Sequence, residues 1–277
     1  MAEKATKRDI VRTACMFCRR RDSKISKEDV IPDWIANKQI HGTKPDFLAQ
    51  SGSHELDHFP IEYRTVNSFG WKVKGPCRAC NEGWMSNLEV AVAPILTPLM
   101  EGTVRNLDKD AQSTLAVWAF KTALMWDWKV APQKKRIPHF TQAERTALSL
   151  RLSMPAQTHI VVSRYAATTS TLMIGGPLYL PRPNRRTARI SIITIAIHSV
   201  AFQIASLRLA YQSEEPMAVW VPNNGWPKFE KRLWPFESDG DFPPLPPLER
   251  DGLIAWTERW RLLRYVKRSD LQETSLP

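Results

Sequence analysis

Apolar positions follow different rhythms along this chain, and the changes of rhythm divide it. Residues 1 to 12 have none and read as a basic arm. From Cys15 to Cys80 there is little long helical periodicity. Gly, Pro, Ser and Asn recur there between short strand-like runs such as Ile61 to Val66. Pro32 suits a helix start, which predicts a short helix from Asp33 to Gln39. After Cys80 the pattern turns helical. Trp84, Leu88, Ala91 and Ile95 recur at three- and four-residue intervals, so that face is expected to dock onto the preceding segment. Pro94 and Pro98 are expected to kink or end this helix.

Asp108 is the candidate cap of a second helix, whose stripe is Leu115, Trp118, Ala119, Thr122, Ala123 and Trp126. Tryptophans at that spacing form core rather than a base-stacking surface. Thr141 with Glu144 reads as a capping box opening a helix from Thr141 to Leu152. The rhythm then becomes β-like. His159 to Tyr165, Thr171 to Ile174 and Ile190 to Ser206 are rich in β-branched residues, the last predicting two strands that turn near His198-Ser199. Residues 213 to 250, rich in Pro and Trp, read as an extended strap, and Arg250 to Val266 as a closing helix. There is no internal repeat. The expected class is α+β, divided into an arm (1–12), a small lobe (13–103), an α+β domain with an antiparallel sheet (104–212), and the strap with its helix (213–277).

Composition sharpens this modestly. At 277 residues the chain can bury a sizeable core, and no stretch approaches the roughly 20 apolar residues of a membrane helix. The charged opening Met-Ala-Glu-Lys-Ala-Thr-Lys-Arg-Asp lacks the apolar centre of an export signal, so the cytoplasm is the expected compartment. Lys and Arg outnumber Asp and Glu by 39 to 28, a net +11, which favours a polyanionic partner such as nucleic acid. Most basic clumps read as solvated faces. The run Arg19-Arg20-Arg21 is the candidate contact, because it adjoins a cysteine pair that would hold it rigidly.

All four cysteines fall in two Cys-x-x-Cys knuckles, Cys15-Met16-Phe17-Cys18 and Cys77-Arg78-Ala79-Cys80. Each knuckle aims two sulfurs at one point, and two knuckles complete a tetrahedral zinc site with no open position, hence a structural one. The sulfurs should then lie within about 4 Å of one another. Disulfides are disfavoured by the expected compartment. A redox pair is disfavoured because such motifs follow a buried strand and are not duplicated. One zinc held by both knuckles would bring Glu28-Asp29 beside Asn81. Such oxygen ligands suit Mg²⁺ or Mn²⁺.

Cys-x-x-Cys, then Lys-Glu-Asp-Val-Ile-Pro-Asp-Trp, then Cys-x-x-Cys-Asn-x-Gly-Trp-Met-Ser-x-Leu-Glu resembles the HNH endonuclease superfamily, in its phage and bacterial four-cysteine branch. The resemblance covers residues 15 to about 100, with weaker echoes at Ala116 to Ala123 and Leu233-Trp234-Pro235. It implies a ββα-metal fold around one catalytic divalent ion, braced by the zinc, and hydrolysis of phosphodiester bonds, with DNA the expected substrate. It places Asn81 and Glu28 as ligands of that ion. Directly after the acid the family has a histidine base; this chain has Asp29, a weaker base at neutral pH. Asp29 is therefore a substitute base or a further ligand, with His41, His54 or His58 reaching in. The alternative is a zinc-braced nucleic-acid-binding or interaction protein impaired in catalysis. His54 and His58 stand i, i+4 but fall in a loop-like stretch, and Asn67 matches the family's middle asparagine only weakly. Glu89 reads as a structural partner, and His139, His159 and His198 as isolated core or loop residues.

Overall fold

Strand β1 (Ile25–Asp29) pairs antiparallel with β4 (Lys72–Cys77), although 42 residues separate them in sequence. The computed structural model describes residues 14–36, 46–51, 63–65, 71–103, 106–133, 138–151, 154–155, 157–166, 170–180, 188–208, 217–220, 228–236, 240–241, 246–259 and 264–267. Across the ribbon, Lys27 faces Lys74, Glu28 faces Val73, and Asp29 faces Lys72. Side chains alternate along a strand, so Glu28 and Val73 share the inner face while the lysines share the outer one. A Cβ on Gly75 would stand 2.7 Å from the Met16 sulfur and 3.0 Å from Trp128. Glycine therefore lets the first knuckle and the central helix close onto the strand.

The chain passes from β4 into a turn, Arg78–Cys80, a π-helical turn, Asn81–Met85, and helix α2 (Ser86–Met100); α1 is the short Asp33–Ala36. The backbone leaves helical geometry at Gly83 (φ −94°, ψ −111°), and Ser86 N–H reaches back to the Asn81 and Gly83 carbonyls. The helix does not end at Pro94: both prolines lie inside α2, which runs two residues past Pro98 to Met100. Pro94 is on the exposed face, where the carbonyl one turn back can turn to water. The buried stripe is also shifted. Met85, Leu88, Val92, Leu96 and Leu99 face inward, and Ala91 is exposed. Ala91-Val92 and Ile95-Leu96 offer apolar residues in either phase, so periodicity alone did not choose.

Helix α3 (Lys109–Gln133) starts where expected, with Ala111 N–H donating to Asp108 Oδ1 at 2.8 Å. Its predicted stripe is buried, yet burial is continuous from Leu115 to Trp128. The helix is enclosed because it packs against α2, the ribbon and the large sheet. Helix α4 (Gln142–Arg151) carries the expected capping box, with Thr141 N–H to Glu144 Oε2 at 2.6 Å and Glu144 N–H to Thr141 Oγ1 at 3.3 Å.

The seven-stranded sheet runs β11-β6-β9-β8-β7-β2-β3, built from β6 (Thr158–Arg164), β7 (Ser170–Leu180), β8 (Ala188–Ile197), β9 (Val200–Arg208), β11 (Glu230–Trp234), β2 (Asp46–Ser51) and β3 (Tyr63–Thr65). It is antiparallel except where β2 pairs with β7. The β8–β9 hairpin turns at His198-Ser199 as expected, with His198 at φ 49°. Ile193, Ile195 and Ile197 face the α3 side, while Ala196 packs toward α5 (Arg250–Glu258) on the other.

Mixed helix and antiparallel sheet is the α+β class expected. Across the expected 103/104 boundary, β2 and β3 extend the sheet formed by later strands, and one buried cluster runs from Cys15 to Leu233. The strap at 213–250 contains real strands, with β11 closing one sheet edge and β12 (Gly240–Asp241) pairing with β5 (Asn106–Leu107). The closing helix also stops early. α5 ends at Glu258, and Arg264–Lys267 forms β13 against β10 (Met217–Trp220). Helical burial ends with Leu253, Trp256 and Thr257, and Tyr265-Val266 suits a strand better than a helix. No helix among the described residues is long and apolar enough to cross a membrane.

Candidate metal centre and the carboxylate pair beside it

Backbone geometry in the first knuckle aims its sulfurs inward. Cys15 N–H bonds the Arg20 carbonyl at 2.9 Å, Arg19 N–H bonds the Cys15 carbonyl at 3.1 Å, and Arg19 takes φ 66° to close the turn. Phe17 N–H (3.4 Å) and Cys77 N–H (3.2 Å) both donate to Cys15 Sγ. Such N–H···S bonds favour thiolate and orient it, as supporting bonds do around metal ligands. The two knuckles are tied together by Met16 N–H to the Gly75 carbonyl and Arg78 N–H to the Lys24 carbonyl, each 2.9 Å.

Cys15 and Cys80 sulfurs are 3.8 Å apart, Cys18 and Cys77 are 3.6 Å apart, and all four lie within 4.8 Å of one another. Tetrahedral zinc with ~2.3 Å bonds places sulfurs about 3.8 Å apart. The two closest pairs match that edge, and the widest separation is somewhat larger than expected. The group could hold a metal ion such as zinc. Among the described residues no other set of three His, Cys, Asp or Glu side chains converges this way. The hydrogen bond shared with Cys80 is the largest influence on Cys15 and brings its pKa down to about 4, whereas that bond and burial push Cys80 up.

A brace from distant sequence holds the first knuckle. Gln142 Nε2 donates to the Met16 (2.9 Å) and Phe17 (3.1 Å) carbonyls, Arg145 Nε to Met16 (3.1 Å), and Thr146 Oγ1 to Phe17 (2.8 Å). Arg145 is itself buried over the Trp128 ring, 4.8 Å from its centroid. Sequence reading did not find this brace, because nothing local marks α4 as facing residues more than a hundred positions earlier.

The carboxylates divide as the strand alternation requires. Glu28 points inward and its side chain hydrogen-bonds that of Asn81, at the start of the π-helical turn. Burial raises the Glu28 pKa, opposed first by Asn81 and then by the charge of Lys121. Asp29 turns the other way, with Lys72 Nζ 3.4 Å from its Oδ2. Its pKa is raised by burial and next by Asp33, with Lys72 opposing. Glu28 and Asn81 therefore meet as expected, while Asp29 is not aimed with Glu28 at the amide.

Two further side chains belong here. Lys121, fully buried on α3, places Nζ 2.7 Å from Glu89 Oε1 on α2. The available signal for Lys121 was one charge inside the apolar run Ala119-Phe120-Lys121-Thr122-Ala123. Glu89 proves to be a structural partner at the least, and its charge also reaches Glu28 and Asp29. Arg19, Arg20 and Arg21 are exposed beside the knuckle. His41, His54, His58, Asn67 and the arm at 1–12 lie outside the described residues. No family model, curated protein or solved structure matches this chain.

Proposed function

We propose that the chain is a metal-dependent nuclease of the HNH kind, hydrolysing phosphodiester bonds in nucleic acid, with DNA as the substrate. The observation that supports this most is the meeting of Glu28 and Asn81 at a strand–helix junction beside the four thiols. A purely structural junction has no need of a half-buried carboxylate facing an amide there.

The donor set suits a hard divalent ion: Glu28 offers carboxylate oxygen and Asn81 an amide oxygen, and Mg²⁺ is commonly held by one or two such groups with water completing its shell. Bound there, such an ion would polarise the scissile phosphate and stabilise the leaving oxygen. The four thiols, all oriented by the fold, would hold zinc and keep β1, β4 and the helix start in register. Asp29, one residue along β1 from Glu28, is assigned as the proton acceptor in this reading, although its side chain faces Lys72. Burial and Asp33 raise its basicity above that of an ordinary aspartate, and Lys72 limits the gain. Asn81 orients the Glu28 carboxylate through its side-chain hydrogen bond.

The Asp29–Lys72 ion pair favours the second reading, a zinc-braced fold that binds nucleic acid without cutting it, because the pair occupies the would-be base. A plasmid and single-strand cleavage assay with Mg²⁺, Mn²⁺ or EDTA separates the two. Wild type is expected to cut with either ion, and Asn81→Ala and Asp29→Ala to lose cutting while still binding. Salt-sensitive binding with no metal-dependent cutting would select the second reading.

A further inference from the structure

Like charges set directly opposite on a ribbon destabilise it. Yet β1 and β4 place Lys27 against Lys74, both exposed, on the face turned away from the core. Lys72 extends that face from the next outward position of β4, and Lys24, at the mouth of β1, is exposed beside Arg78. Lys129 from α3 anchors the same strand end through the Lys72 carbonyl at 2.7 Å. The facing acids are Asp29, which pairs with Lys72, and Asp33 beside it. Val73 and Gly75, on the opposite face, carry the packing. The lysines thus contribute nothing to the core and repel one another in the free protein.

We propose that the outer face of the β1–β4 ribbon, centred on Lys27 and Lys74, is a phosphate-backbone contact for nucleic acid. This deepens the function proposed above, and rests on it for the choice of polyanion. The contact is sequence-independent, since ammonium groups pair with phosphates rather than read bases. Lys27 stands one residue before Glu28 on β1 and Lys74 lies across from Lys27, so a backbone held on the two lysines runs close to the strand position that carries the Glu28–Asn81 pair. Glu28 cannot face both ways. The ribbon therefore grips with one face and presents its carboxylate from the other.

The test is the salt dependence of binding to a labelled 20-base-pair duplex and to a single strand of the same sequence. It uses the full chain with no added divalent ion, so binding is read apart from cutting. Each lost phosphate contact reduces the slope of log K against log salt by about 0.9 on duplex. Lys27→Ala with Lys74→Ala should lower the slope by about 2 and weaken binding alike for unrelated sequences. A control pair, Lys109→Ala with Lys228→Ala, should leave the slope unchanged; both of those lysines instead lie over phenylalanine rings. An unchanged slope in the ribbon variant overturns the proposal, and if metal-dependent cutting persists the nuclease reading survives it. Wild type that binds no nucleic acid, or that binds anionic vesicles instead, overturns both.

Discussion

The thiol centre and the carboxylate pair lie on the same ribbon, but they are held in opposite ways. Around the sulfurs, restraint is redundant: backbone N–H groups aim at Cys15, the end of β4 and the turn after it carry Cys77 and Cys80, and Gln142, Arg145 and Thr146 clamp the loop from another part of the chain. The carboxylates are held by charge balance instead, Glu28 through Asn81 and Lys121, Glu89 through Lys121, and Asp29 through Lys72. A site fixed by geometry resists change, whereas one fixed by compensating charges can exchange a lysine for another cation. On the proposed function, the first would be the scaffold and the second the site of chemistry.

The largest effect should come from breaking the redundant side at its ligands. Cys77→Ser is expected to abolish stoichiometric zinc, measured by metal analysis, and to unfold the protein. Because one buried cluster joins Cys15 to Leu233, loss of structure should reach the large sheet rather than stop near residue 100. A variant with native circular dichroism and no metal would show that the thiols are dispensable.

Next is the charge-balanced side. Glu89→Gln leaves Lys121 buried without its counter-charge, a change of about 3 kcal/mol in denaturant unfolding. Replacing both, with Lys121→Met and Glu89→Leu, should recover much of that loss. If the double variant is no better than the single, the pair does more than cancel its own charges.

A smaller effect, about 1–2 kcal/mol, is expected from Gln142→Ala, which removes donors to the Met16 and Phe17 carbonyls. Zinc release to a chelator should also quicken. Unchanged release would mean that the brace stabilises the fold without tightening the centre.

The smallest concerns Glu28. Its folded pKa is raised by burial, so its contribution to stability is fully present below the unfolded value near 4.3 and is lost as pH rises through the folded value. Glu28→Gln should therefore melt higher than wild type at pH 7 in metal-free buffer, and the difference should vanish near pH 4. A lower melting point at pH 7 would show that Asn81 and Lys121 outweigh burial.

Much of this was legible in the residues. The two thiol knuckles, the Asp108 cap, the Thr141–Glu144 box and the His198-Ser199 hairpin turn depend on groups a few positions apart, and the chain carries them openly. The meeting of Glu28 and Asn81 was legible only because four cysteines imply a closure. Lys121 was harder: its charge stands out, but which carboxylate it meets depends on how α2 docks, and α2 has two apolar phases.

Local chemistry in the sequence by itself determined the four clustered thiols, the starts of the helices and the β character of β6 to β9. Tertiary packing decided the rest. It made 46–51 and 63–65 part of a sheet formed mostly by later sequence, kept α2 helical through two prolines, and ended α5 in favour of a strand. It also turned Glu28 toward Asn81 and Asp29 toward Lys72. The physical reason is the same throughout: turns, caps and knuckles close over a few bonds, whereas the face that a strand or helix buries is set by what lies across from it, and that partner arrives from far along the chain.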